Sequence, residues 1–481
     1  MAYKHGVYTS EVPTSIIPAV NSMAGLPVIF GTAPVHLASD RAKANRPVLC
    51  YSYAEAVAYM GYSKDWKKYT LCEAIYAEFA LYNIAPVVLV NVLDPAVHKE
   101  AVTDKEVTLT DKIANVEDPV LLETLKVKKA SAGQPLAEGT DYEAAYNDDG
   151  VLVITVLDGG ELQDATSLWL DYDKVDPTAV DADDIIGGIS VSDGSLKGME
   201  TLNQVFPLFG LVPGMVLAPG WSDNPTVAAV MKSKAGNING HFKASVLVDV
   251  PTDTVKKYSD VSAWKNQNNY TAEDMAVCWP MVKMGDDIYH LSTHLMGVLG
   301  QTDAANDDIP YVSPSNKSAQ INGMCLEDGT EVILGNEEAN YLNGQGVVTC
   351  LNFIGGWKIW GNRTGCYPSN TDPKDAFLCI RRMFNWQAQT FIQTYWAKVD
   401  QPINKRLIQT VIDSENIRLN GFVSQGVLLG GRIEFRQDEN PTTNLLDGIV
   451  KFHTYFTPPT PAREIDNVIE YDPSYFETLF S

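Results

Sequence analysis

The spacing of hydrophobic positions changes character several times along this 481-residue chain. Residues 1–22 contain Pro13 and Pro18 and show no helical period, which predicts an extended N-terminal arm. From 23 to 96, apolar runs at 27–32 (PVIFGT) and 87–93 (VVLVNVL) alternate with helical segments. Such continuous runs suit strands buried on both faces of a parallel sheet. Leu71, Ala74, Ile75 and Phe79 fall at core-facing helical spacing. Ser52 with Glu55 and Thr70 with Glu73 both have the spacing of a capping box.

From 97 to 198 the helical period is lost. Short runs such as 151–157 stand between DG, GG and Asp-rich turns, which predicts an inserted β-rich, sandwich-like domain. The alternation of strand and helix resumes over 199–365. Strands are expected at 214–218, 244–250, 275–279 and 347–353, with helices opened by Asp223-Asn224-Pro225 and across 254–266. Residues 366–457 predict a C-terminal α+β domain. Its first helix runs from about 374 to 398 with Phe377, Ile380, Phe384, Phe391 and Tyr395 on the apolar face. Pro402 opens a second helix bearing Leu407, Ile408, Val411 and Ile412, and a strand follows at 432–435. The fold class is therefore α/β and α+β, multidomain, with residues 23–96 and 199–365 sharing one core.

The end of the chain is the most informative stretch. Two alternating runs, 448–457 and 463–471, are separated by Pro458, Pro459 and Pro461. The first sets Val450, Phe452, Thr454 and Phe456 on one face, and the second Ile465, Asn467, Ile469 and Tyr471. Proline donates nothing to a sheet ladder and stiffens the spacer, so residues 458–481 are expected to form an extended arm whose strand pairs with a neighbour.

Composition narrows the function classes. With 45% hydrophobic and 20% charged residues the chain is an ordinary folded protein. No apolar run reaches membrane-spanning length, and residues 1–13 lack a secretory apolar segment, so folding in a cytoplasm without membrane insertion is expected. The net charge of −24 argues against direct nucleic-acid binding. Residues 101–200 carry 22 Asp and Glu against 7 Lys and Arg, so the insert holds most of the surplus and belongs on a solvated exterior. Seven cysteines without a CxxC pair read as buried thiols.

Candidate chemistry is thin. His290 and His294 lie one helical turn apart, but Leu291 stands where a zinc protease has Glu, so a solvated helix face is expected. Ser22, in the segment 21–25 (NSMAG), resembles a subtilisin-type nucleophile but precedes every predicted sheet element. Gly344 and Gly346 lead into a strand, not a helix, and Asp181, Asp183 and Asp184 lack the rest of a calcium loop and read as a solvated turn. No catalytic residue, metal site or cofactor is expected.

Several segments together resemble the contractile-tail sheath family of phages and related bacteriocins. They are residues 3–34, residues 212–251, and residues 342–364, which end in Trp360-Gly361-Asn362-Arg363-Thr364. The resemblance covers nearly the whole chain except the acidic insert. It implies a subtilisin-like fold for the α/β core and a structural, non-enzymatic subunit of the virion tail, assembled in a bacterial cytoplasm. Subunits would stack as six-membered rings around an inner tube, meet baseplate and terminator proteins at the ends, and contract to drive the tube through an envelope. It further implies strand exchange through Val7, Thr9 and Val12 of one arm and Ile465, Asn467, Ile469 and Tyr471 of the other. Arg381, Arg382, Lys398, Lys405 and Arg406 become the expected contacts to an acidic tube. The rival readings are an oligomeric α/β hydrolase and another tail component such as a baseplate protein.

Overall fold

A computed structural model of the chain describes residues 23 to 480. Its body is an eight-stranded sheet formed from two stretches of sequence. The first contributes β1 (Pro27–Gly31), β2 (Val48–Cys50) and β3 (Val87–Asn91). The insert intervenes with β4 (Lys99–Thr108), β5 (Ile113–Val116), β6 (Lys126–Lys128), β7 (Tyr142–Tyr146), β8 (Leu152–Val156) and β9 (Ser167–Val175). A small hairpin of β10 (Gly188–Ile189) and β11 (Leu196–Lys197) follows. The body resumes with β12 (Met215–Leu217), β13 (Ser245–Asp249) and β14 (Met275–Cys278). Next come a four-stranded side sheet, β15 (Met281–Met284), β16 (Asp287–Tyr289), β17 (Gly323–Cys325) and β18 (Glu331–Val332), and then β19 (Val347–Asn352) and β20 (Trp357–Trp360).

The strand order is β2-β3-β1-β12-β13-β14-β19-β20, parallel from β3 to β19 and antiparallel only at the two edges. Every residue of β1, β3, β12, β13 and β14 is buried, as continuous apolar runs between two helical layers require. Helices Pro225–Ala235 and Leu291–Ala304 belong to these layers. Asn224 caps the first through Thr226 N, with Pro225 at its first position, as the sequence predicts.

The insert pairs β4 and β6 with β9, and β5 and β7 with β8, as two three-stranded antiparallel sheets. They enclose a core of their own around Leu152, Ile154, Leu168 and Leu170. Val175, Val180 and Ile185, farther along, pack into the core of the main body.

Two local expectations are corrected. Ser52 does cap helix Tyr53–Met60 by accepting from Glu55 N at 3.2 Å. Thr70, however, is the first residue of helix Thr70–Ile75 and not its cap, and Glu73 is buried in a tertiary site. The acidic triplet Asp181, Asp183 and Asp184 is solvated as expected but opens a helix instead of a turn: Asp181 and Asp184 make a reciprocal capping box on helix Ala182–Ile186.

Candidate assembly interface

The C-terminal region is built on helices Leu378–Tyr395 and Lys405–Ser424. Met383 and Trp386 pack against Leu419 and Leu428, and Tyr395 against Val411 and Ile433. Across them lies a two-stranded ribbon, β21 (Gly430–Glu434) and β22 (His453–Thr457), paired from Gly430↔Thr457 to Glu434↔His453. Alternation sends Phe456 toward the helices, its ring 4.4 Å from Phe384, and turns Tyr455 to the other face under Arg432 at 4.0 Å. The strand begins at His453, not at 448 as the alternation suggests. Gly448 is in the left-handed region, and the Asn440 side chain bonds both backbone groups of Lys451.

The two edges of this ribbon differ. On the outer side of β21, the Asn416 side chain accepts from Ile433 N at 2.9 Å and donates to Ile433 O at 3.2 Å. At Ile433 that edge is occupied by a side-chain amide standing in for a strand. Since Ile433 turns its backbone groups away from β22, Thr454 opposite it and Phe456 two residues on turn theirs outward. Among the described residues no backbone bond reaches that outer edge of β22.

Beyond the prolines the chain continues without regular strand structure. Residues 461–464 border a groove of about 650 Å³ beside Asn362 and Arg363. Arg363, from the WG-x-RT segment, stands over the rings of Tyr367 at 4.3 Å and Phe377 at 3.8 Å. Residues 463–471 form no strand within the chain. Ile465 is 87% exposed, Ile469 86% and Tyr471 73%, which is surface that an isolated domain would not leave in water.

Of the other sequence-predicted residues, Val7, Thr9 and Val12 lie outside the described residues, as does Ser22. Arg381 and Arg382 require correction as free cationic contacts. Arg382 is 2% exposed: its guanidinium donates to both carboxylate oxygens of buried Asp303 and to Ala24 O at 3.1 Å. Arg381 bridges Asp274 at 3.1 Å and Asp375 at 3.3 Å. An unpaired guanidinium at this depth would be costly, so the fold has supplied each with carboxylates from other elements. Lys398 is half-buried, and Lys405 and Arg406 are exposed; none has a carboxylate partner among the described residues. Sequence reasoning missed Asn416, Asp274 and Asp303, whose roles depend on distant elements meeting.

At the carboxyl ends of the parallel strands lies a cleft of about 290 Å³ lined by Glu73, Asp223, Asp249 and His290. His294 is fully buried and His290 is only partly exposed, contrary to the expected solvated face. Glu73 accepts from His290 N at 2.8 Å and from Thr293 Oγ1 at 2.8 Å, and its carboxylate lies 2.7 Å from His290 Nδ1. Burial acts to lower the His290 pKa, but Glu73, Asp249 and Asp223 outweigh it and hold the value up at about 10. His294 points elsewhere, its Nδ1 2.7 Å from the Tyr82 hydroxyl, and burial lowers its pKa to about 3. The two rings therefore serve different partners and do not converge as a chelate. Ser292 and Ser222 hydroxyls donate to Asp249 and not to an imidazole, so neither serine is paired with a histidine base.

No protein-family model matches the chain. Over 495 aligned residues it is 28% identical to the tail sheath protein of Burkholderia phage BcepMu, covering 99% of this chain and 98% of that protein. Its relatives are tail sheath proteins. A second, the major tail sheath protein of Serratia phage KSP20, is 24% identical over 306 residues, 62% of this chain and 73% of its own. Among solved structures, the sheath complex of an extracellular contractile injection system (PVC), in its contracted state, superposes with a TM-score of 0.59 at 15% identity, covering 99% of both chains. The contracted helical sheath of the anti-feeding prophage gives 0.57 at 14%, over 98% of this chain and all of that one. These two likenesses are of fold.

Proposed function

We propose that the chain is the structural, non-enzymatic subunit of a contractile tail sheath. The observation that carries this reading is the end-to-end similarity to a phage tail sheath protein, with nearly all of both chains aligned. The body, which we take as the subtilisin-like domain of the family, moves as one piece. Six subunits close each ring, and rings stack around an inner tube between a baseplate and a terminator. On contraction the cylinder drives the tube through a target envelope. The acidic insert faces outward, where water relieves its self-repulsion.

Coupling between subunits runs through exchanged strands. The open edge of β22 presents the outward groups of Thr454 and Phe456, and residues 463–471 present an alternating run without a partner of its own. Addition of one to the other in a neighbouring copy is β-augmentation: main-chain bonds give affinity and alternate side chains set register. About five such bonds, each worth roughly 0.5–1.5 kcal/mol net, contribute a few kcal/mol per arm before apolar burial. Repetition around a ring and along a stack multiplies weak links into a continuous mesh. Residues 1–22, with Val7, Thr9 and Val12, supply the second exchanged arm.

The deciding experiment is a chain ending at residue 462. Overproduced and viewed by negative stain, it should remain a folded monomer where the full chain forms hollow cylinders. Normal cylinders from the shortened chain would end the strand-exchange reading.

A further inference from the structure

We propose that residues 473–480, beyond the exchanged strand, act as a hook that docks on the connector 396–406 of the copy receiving that strand. This rests on the strand-exchange reading above. After Asp472, whose carboxylate accepts from Ser474 N at 2.9 Å, residues Pro473–Phe480 wind into a short 3-10 helix. Tyr475 is 72% exposed, Phe476 57% and Leu479 71%. These side chains are too apolar and too close together to serve as solvated tail residues. The arm leading to them is acidic, with Glu464, Asp466, Glu470, Asp472 and Glu477 against Arg463 alone.

The connector between the two C-terminal helices has the matching character. Trp396 is 57% exposed, Val399 62% and Ile403 37%, and residues 396–406, which include the first two positions of helix Lys405–Ser424, carry Lys398, Lys405 and Arg406 against one acid, Asp400. An apolar surface ringed by unpaired cations suits an acidic, aromatic segment. An acidic tube would satisfy the cations but leave the apolar side chains unanswered.

Position agrees with chemistry. Phe391 and Tyr395, just before the connector, pack with Ile433 and Phe452, so the connector emerges at the Glu434–His453 end of the ribbon. With β21 occupied at Ile433 by Asn416, the incoming strand adds to β22, and an antiparallel strand there runs from the Thr457 end toward the His453 end. Its last residues are thus delivered beside the connector. Eight residues of 3-10 helix then reach about 16 Å farther, enough to lie along it.

The test uses the protein overproduced without any other tail component, reading the critical concentration for assembly by sedimentation and negative stain. A chain ending at Asp472 keeps the exchanged strand and loses the hook. It should still assemble, but at a critical concentration raised roughly tenfold or more, as the loss of one modest interface requires. The pair Lys405→Glu with Arg406→Glu should raise it similarly, and adding Glu470→Lys with Glu477→Lys to that pair should bring it back. Unchanged assembly by the chain ending at Asp472, or no recovery on charge exchange, overturns the hook. Normal self-assembly of the Lys405→Glu, Arg406→Glu variant with failure only on a preformed tube would assign the connector to the tube and also overturn it. Failure of strand exchange itself is seen separately, as normal cylinders from the chain ending at residue 462.

Discussion

The junction around Arg382 and the arm from 463 to 471 are opposites. At the junction, a guanidinium from the C-terminal helix reaches both oxygens of Asp303 on the body and the carbonyl of Ala24, with arginine and aspartate 2% and 1% exposed. Both terminal nitrogens of the guanidinium are answered from within the same chain. In the arm, alternating apolar side chains stand in water and no ladder is made. One region removes freedom between the body and the C-terminal helices, and the other, in the strand-exchange reading proposed above, leaves bonds open for another molecule. A machine that must slide subunits past one another while keeping them tied needs both: a rigid unit, and a link that belongs to no unit by itself.

The largest effect is expected at the junction. Arg382→Ala leaves Asp303 buried without a counter-charge and should cost about 3–5 kcal/mol of folding stability, measured by denaturant unfolding. Replacing both partners with apolar residues, Arg382→Met with Asp303→Leu, should recover most of that loss. A single substitution costing under 1 kcal/mol would mean that the junction does not weld the two regions, and the contrast with the arm would fail.

The body should also respond to pH. The folded pKa of His290, about 10, lies above its ordinary 6.5, so its contribution is complete below about pH 6.5 and is lost as pH rises toward 10. His294 is opposite. Its folded value of about 3 makes its contribution complete above pH 6.5 and loses it on acidification. Melting temperature should therefore fall on both sides of neutrality, and His290→Gln should flatten the alkaline side alone. An alkaline limb unchanged by that substitution would detach the Glu73–His290 pair from stability.

Asn416 separates the two regions on a finer scale. Asn416→Ala removes two hydrogen bonds to Ile433 and should cost about 1 kcal/mol in the monomer. It also opens a second edge on the ribbon, so incoming strands can add on the wrong side. Branched or irregular aggregates beside ordinary cylinders are the expected picture under negative stain. Uniform cylinders from this variant would show that the side-chain amide does not select the edge.

Legibility in the sequence followed the range of the interactions involved. Strands β13 and β19 could be read from ASVLVDV and VVTCLNF because burial on both faces leaves a continuous apolar run whatever surrounds it. The run 463–471 alternates in the sequence yet forms no strand within the chain, because alternation and prolines supply no ladder partner. Thr70 and Glu73 have the same local spacing as Ser52 and Glu55, but His290, 217 residues away, claims Glu73. Arg381 and Arg382 look like any charged pair on a helix, because Asp274 and Asp303 come near only after folding. Asn416 gives no signal at all, as an asparagine in a helix becomes an edge cap only where a strand lies beside it.

The smallest effect on folding should accompany the most specific loss of function. Ile465 and Ile469 touch nothing that holds their own subunit together, so Ile465→Asp with Ile469→Asp should change monomer stability by less than about 0.5 kcal/mol. Secondary-structure spectra and the melting temperature should be those of the unaltered chain. In an exchanged strand, however, the two side chains face the apolar side of the ribbon, and two carboxylates there would need to lose their water without gaining a partner. Assembly should therefore fail while folding is untouched. Substituting Glu464→Ser with Glu470→Ser, on the opposite face of the same run, should leave assembly close to normal, because only one face of an added strand is covered. Equal damage from both pairs would mean that the segment acts through its overall character and not as a strand in register. Equal tolerance of both would mean that it does not join subunits, and the division between a self-satisfied body and a shared arm would then have no functional content.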